Sequence, residues 1–307
     1  RRPHLVDDGM LESLRAFAPS APDHLPQEIR AIEAVRRAHP GLPQVACFDT
    51  GFHRDLPRPA RTFPLPPDVL DDACFRYGFH GLSYEYVTGE LARERGGRPP
   101  GRAVIAHLGN GASMVAVREG RSVDTTMGFT PLAGLVMGTR PGDLDPGVLV
   151  HLLRGKGFDA AALNDLLNRR SGLLGVSGTT SDMKDLLERE ADDPRAALAV
   201  EMFCLRARKE LAAMAASLGG MEVLVFTGGI GEHAPAVRER ILEGLEFMGV
   251  RLDRERNRSG TGMISPEGAP VRVRVVHTDE ELMIARHTAA VLTTSRDGGG
   301  GRRENAT

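Results

Sequence analysis

Four glycine-bearing segments end or punctuate the apolar runs of this chain, and they constrain its fold more than any other feature. They read HLGNG (107–111), MGTRPGD (137–143), GLLGVSGTTSD (172–182) and TGGIGEH (227–233). The first follows an apolar run at 103–106. A hairpin turn would need Asn-Gly alone. A glycine on each side of Asn110 lets the backbone approach a ligand closely and present its N–H groups to an anion. In α/β proteins ligands gather at the carboxyl ends of strands, and a turn that opens a helix adds free N–H groups and a positive helix end. Each segment taken singly also reads as an ordinary tight turn. Neither G-x-x-x-x-G-K-[ST] nor G-x-G-x-x-G occurs, which disfavours a P-loop or a Rossmann nucleotide site.

Between these segments, strand and helix patterns alternate. PQEIRAIEAVRRA (26–38) places Ile29, Ile32, Val35 and Ala38 on one helical stripe. GLPQVACFDT (41–50) reads as a turn, a buried strand and a polar strand end at Asp49. The stretch 53–79 is proline-rich and irregular. A helix near 83–95 leads to a linker marked by Gly96-Gly97 and Pro99-Pro100. A strand at 103–107 is followed by a hairpin, SMVAVREGRSVDTT (113–126), that turns at Glu119-Gly120. Asp145-Pro146 and Asp193-Pro194 each open a helix with an N-cap and a first-turn proline, the second over about 195–217. EVLVFT (222–227) is a buried strand running into a glycine turn and a helix from about 234. VRVRVV (271–276) is a further strand, and Thr278 and Glu281 have capping-box spacing for a last helix. The pattern is α/β.

Composition narrows the function classes. The 307 residues hold 39 Lys+Arg against 41 Asp+Glu, which argues against a general nucleic-acid or membrane-surface binder. No apolar run approaches the roughly 18–20 residues of a membrane span, and no signal peptide is visible. Cys47, Cys74 and Cys204 show no metal or redox spacing and suit a reducing cytoplasm. The tail SRDGGGGRRENAT is glycine-rich and polar, and is expected to be disordered from 296 on.

Several residues have the chemistry of a phosphoryl site. Arg140 lies between Gly138 and Gly142, where it can neutralise a phosphoryl group or pair within its loop with Asp143 or Asp145. His80, in RYGFHGLS (76–83), can donate to a phosphate or simply pack in its loop. Asp49 can orient an arginine, hold a metal-bound water, take a proton or serve as a turn residue. Glu280 and Glu281 open the last helix; one can reach Mg²⁺, a hard ion that bridges ATP phosphates, or both can complement the helix dipole.

Taken together, PQVACFDTGFH (43–53), RYGFHGLS (76–83), HLGNGAS (107–113), VDTTMGFTPLAGLVMGTRPGDLDPG (123–147), RRSGLLGVSGTTSDMKDL (169–186), LVFTGGIGEHAPAVRERILEGLEFMGV (224–250) and DEELMIAR (279–286) resemble the acetate kinase family, the acetate and propionate kinases of the sugar kinase–Hsp70–actin superfamily. They run in family order. The resemblance implies an actin-like α/β fold of two ribonuclease H-like lobes with a cleft between them. Residues 1–50, with 283–295 returning, would be what remains of the first lobe. Residues 51–282 would form the second, nucleotide-binding lobe. The implied reaction is reversible transfer of the γ-phosphoryl of ATP to acetate, giving acetyl phosphate and ADP, with Mg²⁺ or Mn²⁺. The implied context is a cytoplasmic homodimer.

Carried over residue by residue, the resemblance puts Asp49, His80 and Arg140 at the reacting groups and Glu280 at the metal. His107, Leu108, Gly109, Asn110 and Gly111 would line the nucleotide phosphates. Asp182, Met183 and Lys184 would border the nucleotide, with Gly229, Ile230, Gly231, Glu232 and His233 on the adenosine side. Acetate is already ionised at pH 7, because carboxylic acids titrate near ~4–5, so Asp49 is expected to orient an arginine or a metal-bound water.

Departures from the family pattern carry expectations of their own. A Gly-Ser-Ser-Ser-x-Lys-type phosphate turn and an HRVVHGG-like stretch with a substrate arginine have no counterpart here. The chain is expected to lack an N-terminal segment of about a quarter of a family chain. It would then bind nucleotide poorly and transfer slowly, or act as a nucleotide-binding fragment. His24 stands near the place of a family histidine, and Asp279 and His233 stand where asparagine is usual.

Overall fold

The computed structural model describes residues 2–18 and 25–298; His24 and the tail beyond 298 lie outside the described residues. Two sheets organise the chain. β1 (His4–Leu5) pairs antiparallel with β2 (Val45–Ala46), and helices Asp8–Phe17 and Leu25–Ala38 lie between them in sequence. The larger sheet has six strands: β3 (Arg102–Leu108), β4 (Ala112–Arg118), β5 (Arg121–Thr125), β6 (Val223–Thr227), β7 (Gly262–Met263) and β8 (Arg272–Val275). Its order is β5-β4-β3-β6-β8-β7. β3, β4 and β5 form an antiparallel meander, while β3, β6 and β8 run parallel.

Both faces of this sheet are covered, which is why β3 and β6 read as continuous apolar runs. On one face Val104, Ala106, Leu224, Phe226 and Val273 join the core that Phe203, Ala207 and Leu211 complete from helix Pro194–Leu218. On the other face Ala103, Ile105, Val223 and Val225 pack with Tyr84, Val87 and Leu91 of helix Gly81–Glu94. The β4–β5 turn places Glu119 at φ 49° and Gly120 at φ 80°, as a two-residue hairpin with positive φ at both positions requires. Asp145 and Asp193 cap their helices as the Asp-Pro pairs predict. Asp145 accepts from the Gly147 N–H, and Asp193 from those of Arg195 and Ala196.

The structure departs from the sequence expectations at four places. The strand before Asp49 is only two residues long and half-buried, so Asp49 lies in the turn after it. TGGIGEH is no open turn: Gly228–His233 is a short helix, despite glycine's poor helix propensity, because its ends are held from outside. The last helix begins at Glu280, where the Asp279 carboxylate accepts from the Leu282 N–H at 2.8 Å. The Thr278/Glu281 capping box does not form, since the Thr278 hydroxyl is engaged elsewhere. That helix also continues to Gly298, past the expected start of disorder at 296.

What holds the Gly228–His233 helix is a fully buried arginine. Arg238 Nη1 donates to the carbonyls of Gly231 (2.8 Å) and Glu232 (2.9 Å), Nε to Asn257 Oδ1 (2.8 Å) and Nη2 to the Asn257 carbonyl (2.6 Å). Burial pulls its pKa down to about 10, so it stays charged at neutral pH without a carboxylate partner. Arg238→Ala is expected to cost about 3 kcal/mol or more, by stranding buried acceptors and opening a cavity. Urea unfolding measures this, and a loss under about 1 kcal/mol would mean that water replaces the guanidinium.

Candidate active site

The predicted residues converge at the carboxyl ends of β3 and β6, where the HLGNG and TGGIG segments meet. His107 is the last β3 residue paired with β6, directly opposite Thr227, which ends β6. Leu108 is buried in the core, and Gly109, Asn110 and Gly111, with part of His107, form the accessible part of the first segment. The space over Gly111 is the centre of the site. A Cβ there would lie 2.9 Å from Arg140 Nη2 and 3.1 Å from His80 Nε2. The absent side chain thus leaves a gap flanked by two nitrogens from different elements. Asn110 lies over Gly138, where a Cβ would meet its Oδ1 at 2.1 Å, and the Gly138 N–H donates to the Asn110 carbonyl. A Cβ at Gly228 would meet the Leu108 carbonyl at 2.9 Å and His107 Nε2 at 3.2 Å.

Arg140 is held by its loop. Its Nη1 donates to the Pro131 carbonyl at 2.9 Å, and its own carbonyl accepts from Met137. Neither acidic neighbour pairs with it: Asp143 accepts from the Gly134 N–H at 2.8 Å and pairs with Arg206, while Asp145 caps a helix. Gly172 has φ 62°, and a Cβ there would strike the Met137 carbonyl at 2.2 Å and the Arg140 carbonyl at 2.6 Å, so the loop is packed backbone to backbone.

His80 and His107 stack, with ring centroids 4.1 Å apart and planes 19° apart. His80 Nδ1 meets Ser113 Oγ at 2.9 Å, and His107 Nδ1 meets Ser83 Oγ at 2.8 Å. Burial, with the Arg140 charge second, pulls the His80 pKa to about 3; burial, with His80 second, pulls His107 to about 3. Both rings are neutral at pH 7, so Arg140 is the only cation of the three.

The Asp49 carboxylate is engaged by backbone N–H groups, the turn-residue role among those its sequence allows. Its Oδ2 accepts from the His80 N–H at 2.6 Å and its Oδ1 from the Leu82 N–H at 3.4 Å, so it caps helix Gly81–Glu94 from outside. Its carbonyl accepts from the Gly81 N–H, and a Cβ at Gly81 would collide with that oxygen at 2.1 Å. No arginine pairs with Asp49 among the described residues. The helix end suits the carboxylate because unpaired N–H groups and the dipole both favour negative charge there. Glu280 is partly buried, and its pKa is raised by burial and then by the Asp49 charge. Two carboxylates that feel one another suit a hard cation that takes its remaining ligands from phosphate and water. No cluster of three or more metal-ligating side chains occurs among the described residues.

Other predicted residues sit differently. Asp182 caps helix Met183–Arg189 through the N–H groups of Lys184 and Asp185. Lys184 is exposed, whereas the Met183 side chain is in the core and can offer a ligand only backbone. Gly229 and His233 are exposed, Ile230 packs on the core and Gly231 is buried. The Glu232 side chain turns inward: Oε1 accepts from the Gly228 N–H at 2.9 Å and Oε2 meets His277 Nδ1 at 2.7 Å. It secures the short helix.

Sequence reasoning missed His53. It is buried, with Nε2 at 3.0 Å from the Phe79 carbonyl and Nδ1 at 2.9 Å from Ser122 Oγ. A carbonyl only accepts, so Nε2 carries the proton and Nδ1 accepts from Ser122. A Cβ at Gly78 would meet the ring at 2.6 Å. His53 therefore props the loop that carries His80. Its presence in PQVACFDTGFH was visible; its partners lie too far away in sequence to be.

The family model for the acetokinase family matches residues 1–286. An acetate kinase of Rhodopseudomonas palustris is 52% identical over 285 residues, covering 92% of this chain and 71% of that protein. One from Clostridium botulinum is 45% identical, covering 94% and 74%. Among solved structures, Porphyromonas gingivalis acetate kinase matches at TM-score 0.88 and 39% identity, over 95% of this chain and 74% of that one. A propionate kinase from Francisella tularensis matches at TM-score 0.89 and 36% identity, over 93% and 74%. With this sheet, this pairing of glycine segments and these matches across nearly all its described length, the chain belongs to the acetokinase family.

Proposed function

We propose that this protein is a small-carboxylate kinase that transfers the γ-phosphoryl group of ATP to acetate. The observation that carries the reading is the gap over Gly111, flanked by Arg140 Nη2 and His80 Nε2. Phosphoryl transfer passes through a loose, highly charged transition state, so a site must mainly position and neutralise. Arg140 supplies fixed charge to the equatorial oxygens, and neutral His80 supplies a hydrogen bond without a competing proton equilibrium. Acetate arrives ionised and needs no base, which frees Asp49 to hold the His80 backbone in place. Mg²⁺ or Mn²⁺ would supply further charge neutralisation, and Glu280 with Asp49 would hold it. The turns at 109–111 and 229 carry the phosphate and adenosine sides of the nucleotide. Closure of residues 1–50 and 283–295 over 51–282 excludes water, which otherwise competes as acceptor.

The test is acetate-dependent ADP release from Mg²⁺-ATP by the purified protein, with acetyl phosphate trapped as the hydroxamate. ADP release unchanged by acetate would sink the reading. Propionate is the second reading, because a propionate kinase matches the fold as well as an acetate kinase does. One methylene separates the two acceptors by about 1–3 kcal/mol at most, so the ratio of kcat/KM values decides between them.

No helix of the described residues is long and apolar enough to cross a membrane, and we place the protein in the cytoplasm. We also assign it a homodimer. Helix Pro146–Gly155 buries none of its residues and exposes Val148, Val150 and Leu153. Leu198, Met202 and Leu205 are exposed with helical spacing on one face of Pro194–Leu218. Met202→Lys with Leu205→Glu is expected to yield monomers by sedimentation, and a wild-type protein that is monomeric at micromolar concentration would overturn the assignment.

A further inference from the structure

Ser83 closes the RYGFHGLS segment and Thr278 precedes the last helix, and their hydroxyls form a relay to the site. Thr278 Oγ1 donates to Ser83 Oγ at 2.8 Å, and Ser83 Oγ lies 2.8 Å from His107 Nδ1. Ser83 is fully buried in the first turn of helix Gly81–Glu94. Thr278 stands just before the last helix, and its own N–H approaches Glu232 Oε1 at 3.4 Å. A hydroxyl has one proton. Ser83 accepts from Thr278, and among the described residues His107 Nδ1 is the acceptor within reach of its own proton. The one proton of the neutral His107 ring must then sit on Nε2.

We infer that Ser83 and Thr278 are positioning residues that lock His107 in the Nε2–H tautomer. Nε2 is the atom that faces the gap between the two glycine segments, 3.2 Å from the Cβ position of Gly228 and 3.9 Å from that of Gly109. The lock makes that atom a permanent donor toward an anion entering there. The opposite tautomer would present a lone pair to a phosphate oxygen and repel it. The relay also ties three elements together: the last helix, which carries Glu280, the helix that Asp49 caps, and the end of β3. The alternative use of Thr278, capping its own helix, is taken over by Asp279, which leaves the Thr278 hydroxyl free for this bond.

The tautomer itself rests only on geometry; its value to catalysis rests on the kinase reading above. Histidine ¹⁵N NMR of the intact protein at pH 7 separates the two. His107 is expected to show a protonated Nε2 and an unprotonated Nδ1. Ser83→Ala is expected to mix the tautomers and to raise KM for Mg²⁺-ATP about tenfold, with a smaller change in kcat, the size of one lost hydrogen bond. Thr278→Val removes the first donor without opening a cavity and is expected to do the same more weakly, while Thr278→Ser restores both signals. A wild-type His107 protonated at Nδ1, or a Thr278→Val protein with unchanged tautomer and unchanged KM, would overturn the inference. A protein with the expected tautomer and no acetate-dependent transfer would instead count against the kinase reading.

Discussion

Between pH 7.5 and pH 5 the folded protein is expected to lose about 6 kcal/mol of stability, through three histidines that the fold holds neutral. Burial depresses His53 to about 4, and His80 and His107 to about 3, from an ordinary value of 6.5. A group whose folded pKa is depressed contributes full stability above its unfolded pKa and loses it as pH falls toward its folded one. Each ring therefore begins to cost stability below pH 6.5, at about 1.4 kcal/mol per pH unit. By pH 5 that is about 2 kcal/mol apiece, and the sum rivals the 5–15 kcal/mol of a typical domain. Two effects oppose it in direction. The His277 pKa is raised by its bond to Glu232, and that of Glu280 by burial, so both favour the folded state as pH drops. His277 is 81% exposed, and its share is correspondingly small. Urea unfolding at pH 7.5, 6 and 5 should show the midpoint falling steeply below pH 6.5, with a limiting slope near three protons. His53→Gln, which keeps a donor toward Phe79, should remove about one of the three. A midpoint that is flat from pH 7 to 5 would mean the rings are hydrated and charged in the native state.

Much of the site was legible because its signals are local. Glycines at 109, 111, 138 and 172 mark places where a Cβ would meet a side-chain nitrogen or oxygen or a neighbouring carbonyl, and such sites leave a trace in sequence. The Asp-Pro helix starts and the Glu119-Gly120 hairpin are likewise decided within four residues. The partners of the site residues were not legible, because they are joined by tertiary packing. Thr278 and Ser83 are 195 positions apart. Asp49 reads as a strand-end carboxylate, and only the docking of helix Gly81–Glu94 shows that it serves that helix. Glu232 sits in a motif expected to face nucleotide, but its neighbours Gly228 and His277 draw it inward. Where a charged side chain has both a ligand and a backbone to choose from, the sequence carries no record of the choice.

Arg140 is the residue whose loss is expected to cost most while disturbing the fold least. Its guanidinium is the cation beside the gap over Gly111, and it forms no ion pair among the described residues, so removing it strands no buried carboxylate there. Apart from its bond to the Pro131 carbonyl, the loop is held by other contacts. Gly134 is fixed to Asp143, Asp143 to Arg206, and Gly172 against the backbone at 137–140. Arg140→Ala is therefore expected to lower kcat by about 10³-fold or more, the usual loss for an arginine acting on transferring phosphate. ATP affinity, carried mainly by backbone groups of the glycine segments, should change only a few-fold. Arg140→Lys should recover part of the rate, since the charge returns but the rigid fork does not. The separation of kcat from affinity is the decisive readout. An equal fall in both would make Arg140 a structural residue of its loop. A kcat within about tenfold of wild type would show that His80 and the backbone donors carry the transition-state charge without it.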